Sequence, residues 1–519
     1  MDFSVISEAL SLAFTPMSML YASLGVILGV TVAAIPGLTG DMAIAVLLPL
    51  VYKVDPLLSL GLLVGIYKGS MFGGSISAIA FGVPGTPAAA ATVEDGYPLK
   101  KKGFPRRAMM QALYSSVTGD VFSTILLMFL TVPLARIAIL FGPVELFSLY
   151  VFSLAVIAML NRESPVRGLI ACLLGLAVSC VGVDGLTGST RMWFGIKALR
   201  GGISNTPLLI GLFAVSELII QFGTSQREKL MVKLQEVSAE KVRLTEEGYD
   251  PKQDRYKLVH YIKTFWATLL GSLIGTFVGI LPGAGSSIAC YLSYGVARRV
   301  CKDGDRFGTG VLNGVAAPEA GNSATAGASI IPLLAFGIPG SATAALIGAA
   351  LSMQGFNPGP TLIAENKLIM FAFFIICGYA SILNLGFSHL LIPVYTKIAM
   401  IKKQYLVPVI FVLATLGIYT TSNSMVDVWI VLGAGLVGIL LKKFRVPLGP
   451  FVLGALLGSS TERSLRQALA IGKGSWRVLF SDPIAIGFYV ATILFFFFIA
   501  YTFRANKKEL DKGAYSDDD

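Results

Sequence analysis

Four Pro-Gly pairs interrupt otherwise apolar stretches, and their spacing is the first chemical signal in the sequence. Ala80-Phe81-Gly82-Val83-Pro84-Gly85-Thr86 returns as Ala335-Phe336-Gly337-Ile338-Pro339-Gly340-Ser341, each copy running into an Ala-rich stretch. About fifty residues before each copy lies a partner element, Ile35-Pro36-Gly37 and Leu281-Pro282-Gly283. Proline removes a backbone donor and clashes with the preceding turn, and glycine loosens the chain, so such a pair breaks a helix. In a membrane the break survives only where protein or a wet cavity satisfies the freed groups. Half-helix N-termini then aim N–H groups and a positive dipole end at that cavity, which suits carboxylates, while freed carbonyls and hydroxyls suit Na⁺. Thr39, Ser75, Pro84, Gly85, Thr86, Pro339, Gly340 and Ser341 are placed to bind such a substrate, and Gly37, Gly283, Ser286, Asn322 and Ser323 to bind the cation, with Ser287 nearby. An anion–cation symport site is the chemistry this pattern describes. Kinks made only for packing are the alternative, disfavoured by the symmetry and by the clustered hydroxyls.

The elements holding these breaks must be membrane helices. Of 519 residues, 14% are charged, against about 25% in soluble domains. Hydrophobic residues make up 55% before 56 glycines are counted, and mean hydropathy is +0.74. Apolar runs approach or exceed the ~20 residues of a spanning helix, which excludes a barrel of alternating ~10-residue strands. Chain length allows roughly ten to fourteen hydrophobic segments in an all-α polytopic protein. The net charge of +11 comes in short clusters between apolar runs, such as Lys100-Lys101-Lys102, Arg106-Arg107 and Arg298-Arg299. That is the positive-inside pattern of a multi-pass protein in a lipid bilayer, not a nucleic-acid surface. Cys172, Cys180, Cys290, Cys301 and Cys377 lack CxxC spacing and read as packing residues. Residues 1–16 do not read as a removable signal peptide, so the first span is expected to direct its own insertion.

Between Arg227 and Lys257 lie eight basic and seven acidic residues, which cannot sit in hydrocarbon. The expected organisation is therefore a first membrane repeat at 1–223, a hydrophilic cytoplasmic linker at 224–257, a second repeat at 258–503 and a polar tail at 504–519. In the first half the basic loop follows the second Pro-Gly element; in the second half Arg298, Arg299, Lys302 and Arg306 lie between the two elements. If basic loops face the cytoplasm, equivalent loops face opposite sides, and the two repeats, with their broken helices or re-entrant hairpins, are inverted.

With these residues in view, the chain resembles the large membrane subunit of the tripartite tricarboxylate transporters over nearly its whole length. The most specific stretches are Gly73-Gly74-Ser75, Pro84-Gly85-Thr86-Pro87, Asp95-Gly96-Tyr97-Pro98, Ala317-Pro318-Glu319-Ala320 with Asn322, and Gly337-Ile338-Pro339-Gly340-Ser341. The resemblance implies a prokaryotic cytoplasmic (inner) membrane permease importing carboxylates by Na⁺ or H⁺ symport. It also implies two partners, a small four-helix membrane subunit and an extracytoplasmic solute-binding protein. No cofactor is expected beyond Na⁺ as a coupling ion, and a homo-oligomer is compatible with the pattern. Three positions depart from the family: Gly82 and Ser323 stand where Asn is usual, and Lys68 where an uncharged residue is usual.

Ionisable residues inside apolar segments are functional candidates by default. Lys68, in Gly65-Ile66-Tyr67-Lys68-Gly69-Ser70, is expected to contact a substrate carboxylate, to stand in for a bound cation, or to snorkel to an interface on its long stem. Glu319 matches the family motif as a cation or proton ligand; a helix N-terminal role beside Pro318 is its alternative. Asp41 reads as a first-turn residue. Asp120, Glu145, Glu217 and Asp427 show no partner in the sequence and are expected at interfaces or helix ends, and His260 and His389 lack metal-ligand spacing.

No Walker sequence, GxSxG elbow or HExxH pair occurs, which argues against ATP hydrolysis by this chain and against an intramembrane enzyme. A stand-alone carboxylate symporter without a binding protein stays open, and an anion channel is the more distant alternative.

Overall fold

Helix starts in this chain are set by caps that replace missing backbone partners. Thr15 accepts from the Ser18 N–H ahead of Pro16, and Thr39 accepts from Met42 N–H. Asp55 does the same for Leu57 and Leu58 ahead of Pro56. Proline at the first helical position gives up a donor that would have no partner there anyway. The computed structural model describes residues 3–160, 164–184, 188–220, 253–283, 285–398 and 403–513. Most of the linker expected at 224–257 and the end of the tail expected at 504–519 lie outside the described residues.

In chain order the helices are α1 Phe3–Ala13, α2 Pro16–Ala34, α3 Gly40–Leu47, α4 Pro56–Phe81, α5 Ala90–Lys101, α6 Pro105–Ile139, α7 Pro143–Met159, α8 Pro165–Ser179 and α9 Asn205–Leu209. They continue with α10 Leu258–Ile280, α11 Gly285–Val300, α12 Leu312–Phe336, α13 Ala342–Met353, α14 Pro360–Glu365, α15 Lys367–Ile398, α16 Lys403–Ser422, α17 Met425–Lys443, α18 Leu448–Ile471 and α19 Pro483–Gly513. Among the described residues, six helices are long and apolar enough to cross a membrane, namely α2, α4, α6, α10, α15 and α17, and shorter apolar helices accompany them. The protein is an all-α, multi-pass membrane protein.

Two compact units divide the chain. One comprises Met1–Ala138 with Ser204–Leu440, the other Ile139–Ile203 with Leu441–Asp519. The second unit contains α7, α8, α18 and α19 and a short antiparallel pairing of 182–183 with 190–191. There Arg191 and Arg466 each pair with both Asp184 and Glu462. In the first unit α2 packs on α4, and α10 on α12, backbone to backbone. A Cβ at Gly25 would stand 2.2 Å from Leu62 O, and one at Gly275 would stand 2.2 Å from Gly321 O. Small residues drive this approach because lipid supplies no hydrophobic force between helices. It buries α4 and α12 along nearly their full length.

The two copies of the Pro-Gly motif have the same backbone arrangement. α4 and α12 both end in a left-handed glycine, Gly82 at φ +68° and Gly337 at φ +73°, a region costly for residues with a Cβ. The two Pro-Gly elements of each half meet: Gly37 N–H donates to Gly85 O at 3.1 Å, and Gly283 N–H to Gly340 O at 3.0 Å. Gly85 and Gly340 then donate back to the body of their own helix, at Gly74 O and Ser329 O. The breaks are thus paired with each other, which is how their freed backbone groups are satisfied.

Candidate functional site

The breaks surround a cavity of about 180 Å³ in the first unit. Lining it from the first half are Thr39, Gly40 and Asp41 at the start of α3, Ser70 and Met71 of α4, and Thr86, Pro87 and Ala88 leading into α5; from the second half come Ser286 and Ser287 of α11, Asn322 of α12 and Thr343 of α13. Four of the six segments that contribute are helix beginnings, so N–H groups and hydroxyls converge there. The volume is that of about six water molecules, the scale of a small organic acid rather than of a drug-sized ligand. Asp41 is the one charged residue among the described lining residues, and its carboxylate accepts from Thr343 Oγ1.

Thr39, Thr86, Ser286 and Asn322 of the expected set are brought together on this wall. Gly37, Gly85, Gly283 and Gly340 form the paired breaks behind it, with Pro84 and Pro339 beside them. Ser341 caps α13 through Ala344 N–H and meets Tyr67 Oη at 3.3 Å. Ser323 turns away and bonds Ser116 of α6 at 2.6 Å. Ser75 instead donates to Glu319.

Three expectations are corrected. Lys68 does not snorkel: it is 2% exposed, its Nζ lying 2.6 Å from Asp120 Oδ1, 2.8 Å from Thr124 Oγ1 and 3.1 Å from Ser381 Oγ. Both hydroxyls donate to their own helix, Thr124 to Asp120 O and Ser381 to Cys377 O, which leaves lone pairs facing the ammonium. Its three hydrogens are thereby used, and none is left for a substrate carboxylate. Asp120, expected at an interface or helix end, is the buried partner of Lys68 in the middle of α6; the residues are 52 apart and on different helices, so no local pattern joins them. Glu319 is no N-terminal cap, because α12 begins at Leu312 and the carboxylate accepts instead from Ser75 and Thr92. Glu145, Asp427 and Asp41 do stand in first turns.

Sequence reasoning missed Thr92, Thr343 and the part played by Asp95. Buried Asp95 accepts from Gly310 and Val311 N–H on one oxygen and from Gly308 N–H and Tyr294 Oη on the other, fixing the segment that leads into α12. Its place in the Asp95-Gly96-Tyr97-Pro98 stretch was the available signal.

A helical bundle with paired broken helices around a cavity reached by helix N-termini and hydroxyls is the arrangement of a membrane transport protein. The tripartite tricarboxylate transporter TctA family matches residues 19–453, and the chain belongs to that family. It is also similar to an uncharacterized 52.8 kDa protein in the TAR-I ttuC' 3' region of Agrobacterium vitis, 33% identical over 482 residues and 93% of each chain. A second uncharacterized protein, from the TAR-II ttuC' 3' region of the same organism, is 34% identical over 211 residues, which is 41% of this chain and 87% of the relative. No solved structure matches the chain.

Proposed function

We propose that this chain is the permease subunit of a tripartite system that imports di- and tricarboxylates across a prokaryotic cytoplasmic (inner) membrane by cation symport. An extracytoplasmic binding protein delivers the substrate, and a small four-helix subunit completes the membrane part. Residues 1–223 and 258–503 act as two inverted repeats, with the segment between them on the cytoplasmic side. The observation that carries the reading is the cavity at which the beginnings of α3, α5, α11 and α13 converge. N–H groups at these ends, with Thr39, Thr86, Ser286 and Ser287, meet the carboxylates of the substrate. Because Asp41 is the charged residue on the wall, an anion entering the cavity needs a compensating cation, which is the physical rationale for symport.

The test is uptake of labelled citrate and of a dicarboxylate into proteoliposomes, with and without the two proposed partner subunits and under imposed Na⁺ or pH gradients. Saturable accumulation that follows one gradient supports the reading. Conduction without saturation, or no uptake of any carboxylate with both partners present, refutes it.

A further inference from the structure

Glu319 is fully buried. Ser75 and Thr92 both direct their hydroxyls at Oε1, while Oε2 has no hydrogen-bond partner. Each of the three residues lies one helical turn from a cavity-lining residue: Glu319 from Asn322 on α12, Ser75 from Met71 on α4, and Thr92 from Ala88 on the approach to α5. Three elements therefore carry the wall of the cavity one turn deeper and close around a single carboxyl group. Asn322 strengthens the link, since its Nδ2 donates to Met71 O while its Oδ1, on the same helix, is also buried without a partner.

We propose, resting on the carboxylate-symport reading, that Glu319 is the coupling site of this transporter and that the coupling ion is a proton bound at Oε2. One O–H bond forms there when the site faces the outer solution and breaks when it faces the cytoplasm, so one proton moves inward with each substrate anion. A carboxylate sealed in a membrane helix needs a charge partner or a proton. The charged and titratable groups on the neighbouring elements are committed elsewhere. Lys68 of α4 and Asp120 of α6 hold each other, Asp95 of α5 is engaged with Tyr294 of α11 and the Gly308–Val311 backbone, and Asp41 of α3 accepts from Thr343. Glu94, Lys100 and Lys101 of α5, Arg106, Arg107 and Arg136 of α6, Arg298 and Arg299 at the end of α11, Lys257, His260 and Lys263 at the start of α10, and Glu365 of α14 are the remaining charges on these elements. Among the described residues none of them forms an ion pair with Glu319. Neutralising Glu319 removes a negative charge one turn from the anion, so proton and substrate favour each other's binding reciprocally.

The experiment uses the complex with its partner subunits and citrate as the probe. Citrate affinity of the parent is expected to fall as pH rises, over a range of about 5- to 150-fold, and to be indifferent to replacing Na⁺ by choline. In weakly buffered solution, citrate addition is expected to draw a proton from the medium, read with a pH-sensitive dye. Glu319→Gln keeps the acceptor for Ser75 and Thr92 and places a neutral amide at Oε2; its citrate affinity is expected to be flat with pH and its uptake insensitive to a pH gradient. The dye measurement on the parent needs no variant, so it decides between a proton and Na⁺ even where Glu319→Gln fails to fold, and Asp41→Asn, expected to keep the proton uptake, separates Glu319 from the other carboxylate at the cavity. Citrate binding that follows Na⁺ and not pH overturns the proton assignment and leaves the symport reading standing. If neither citrate nor a dicarboxylate binds at any pH, both fall.

Discussion

Replacing Lys68 by Met removes the ammonium but keeps most of the stem, and its cost follows from the geometry. At 2.6 Å the attraction between Lys68 and Asp120 is about 6 kcal/mol at an effective dielectric near 20. Much of that offsets the desolvation of two buried charges, so the pair itself adds little net stability. Lys68→Met strands Asp120, whose Oδ2 already lacks a partner, and the expected loss is about 3–5 kcal/mol. Thr124 and Ser381 keep their backbone acceptors, so the damage is confined to the carboxylate. Asp120→Leu strands the ammonium and is expected to cost a similar amount. Combining the two removes both charges and is expected to return the protein to within about 1–2 kcal/mol of the parent, far from the sum of the single losses. Equilibrium unfolding of purified protein by SDS in detergent micelles, followed by tryptophan fluorescence, measures all three. A single-variant loss below about 1 kcal/mol, the range of an ordinary surface substitution, or a double variant as unstable as the two singles added together, would refute the buried-pair account.

Other outcomes follow from contacts elsewhere in the same unit. A Cβ at Gly85 would lie 2.4 Å from Ala33 O, and one at Gly340 2.6 Å from Gly279 O, so Gly85→Ala and Gly340→Ala are each expected to lose about 1–3 kcal/mol or more and most of the uptake. Gly386→Ala, at an open position on α15, serves as the benign control in both assays. Asp95→Asn replaces an oxygen that accepts bonds with an NH₂ group and is expected to cost about 2–4 kcal/mol; amide hydrogen exchange at 308–311 should rise with it and stay put only if Asp95 does not hold that segment. At Gly82, where φ is +68° and Tyr97 lies 3.0 Å from a built Cβ, Asn is expected to be tolerated and Val to destabilise by about 1 kcal/mol or more, because Asn visits the left-handed region and a β-branched residue does not. Equal melting temperatures for the two variants would contradict this.

What could be seen in the sequence was local chemistry, and what stayed hidden was long-range pairing. Pro-Gly in an apolar run breaks a helix wherever it occurs, so the four breaks, the helical class and four of the cavity residues were legible from neighbours alone. Glu319 meets Ser75 and Thr92 across 244 and 227 residues, and Lys68 meets Ser381 across 313. No periodicity spans such distances. The positions of these residues inside helices could be read, but the bonding partners depended on how α4, α6, α12 and α15 pack.

One part of that packing is nevertheless encoded in the repeat, and it separates scaffold from chemistry. Lys68 stands sixteen residues before Pro84, and Ser323 stands sixteen before Pro339. Both reach α6, Lys68 at Asp120 and Ser323 at Ser116, residues one turn apart on that helix. The residue before each, Tyr67 and Asn322, reaches across to the opposite half: Tyr67 to Ser329 and Ser341, and Asn322 to Met71 O. Register is therefore kept between the halves while residue type is not. Twenty residues before the repeated proline, the second half has Glu319 and the first has Val64, so a coupling site at Glu319 has no twin. Breaks from both halves line the cavity, and on the proposed coupling role the unmatched carboxyl of Glu319 beside it is the group whose charge changes with the side to which the cavity opens.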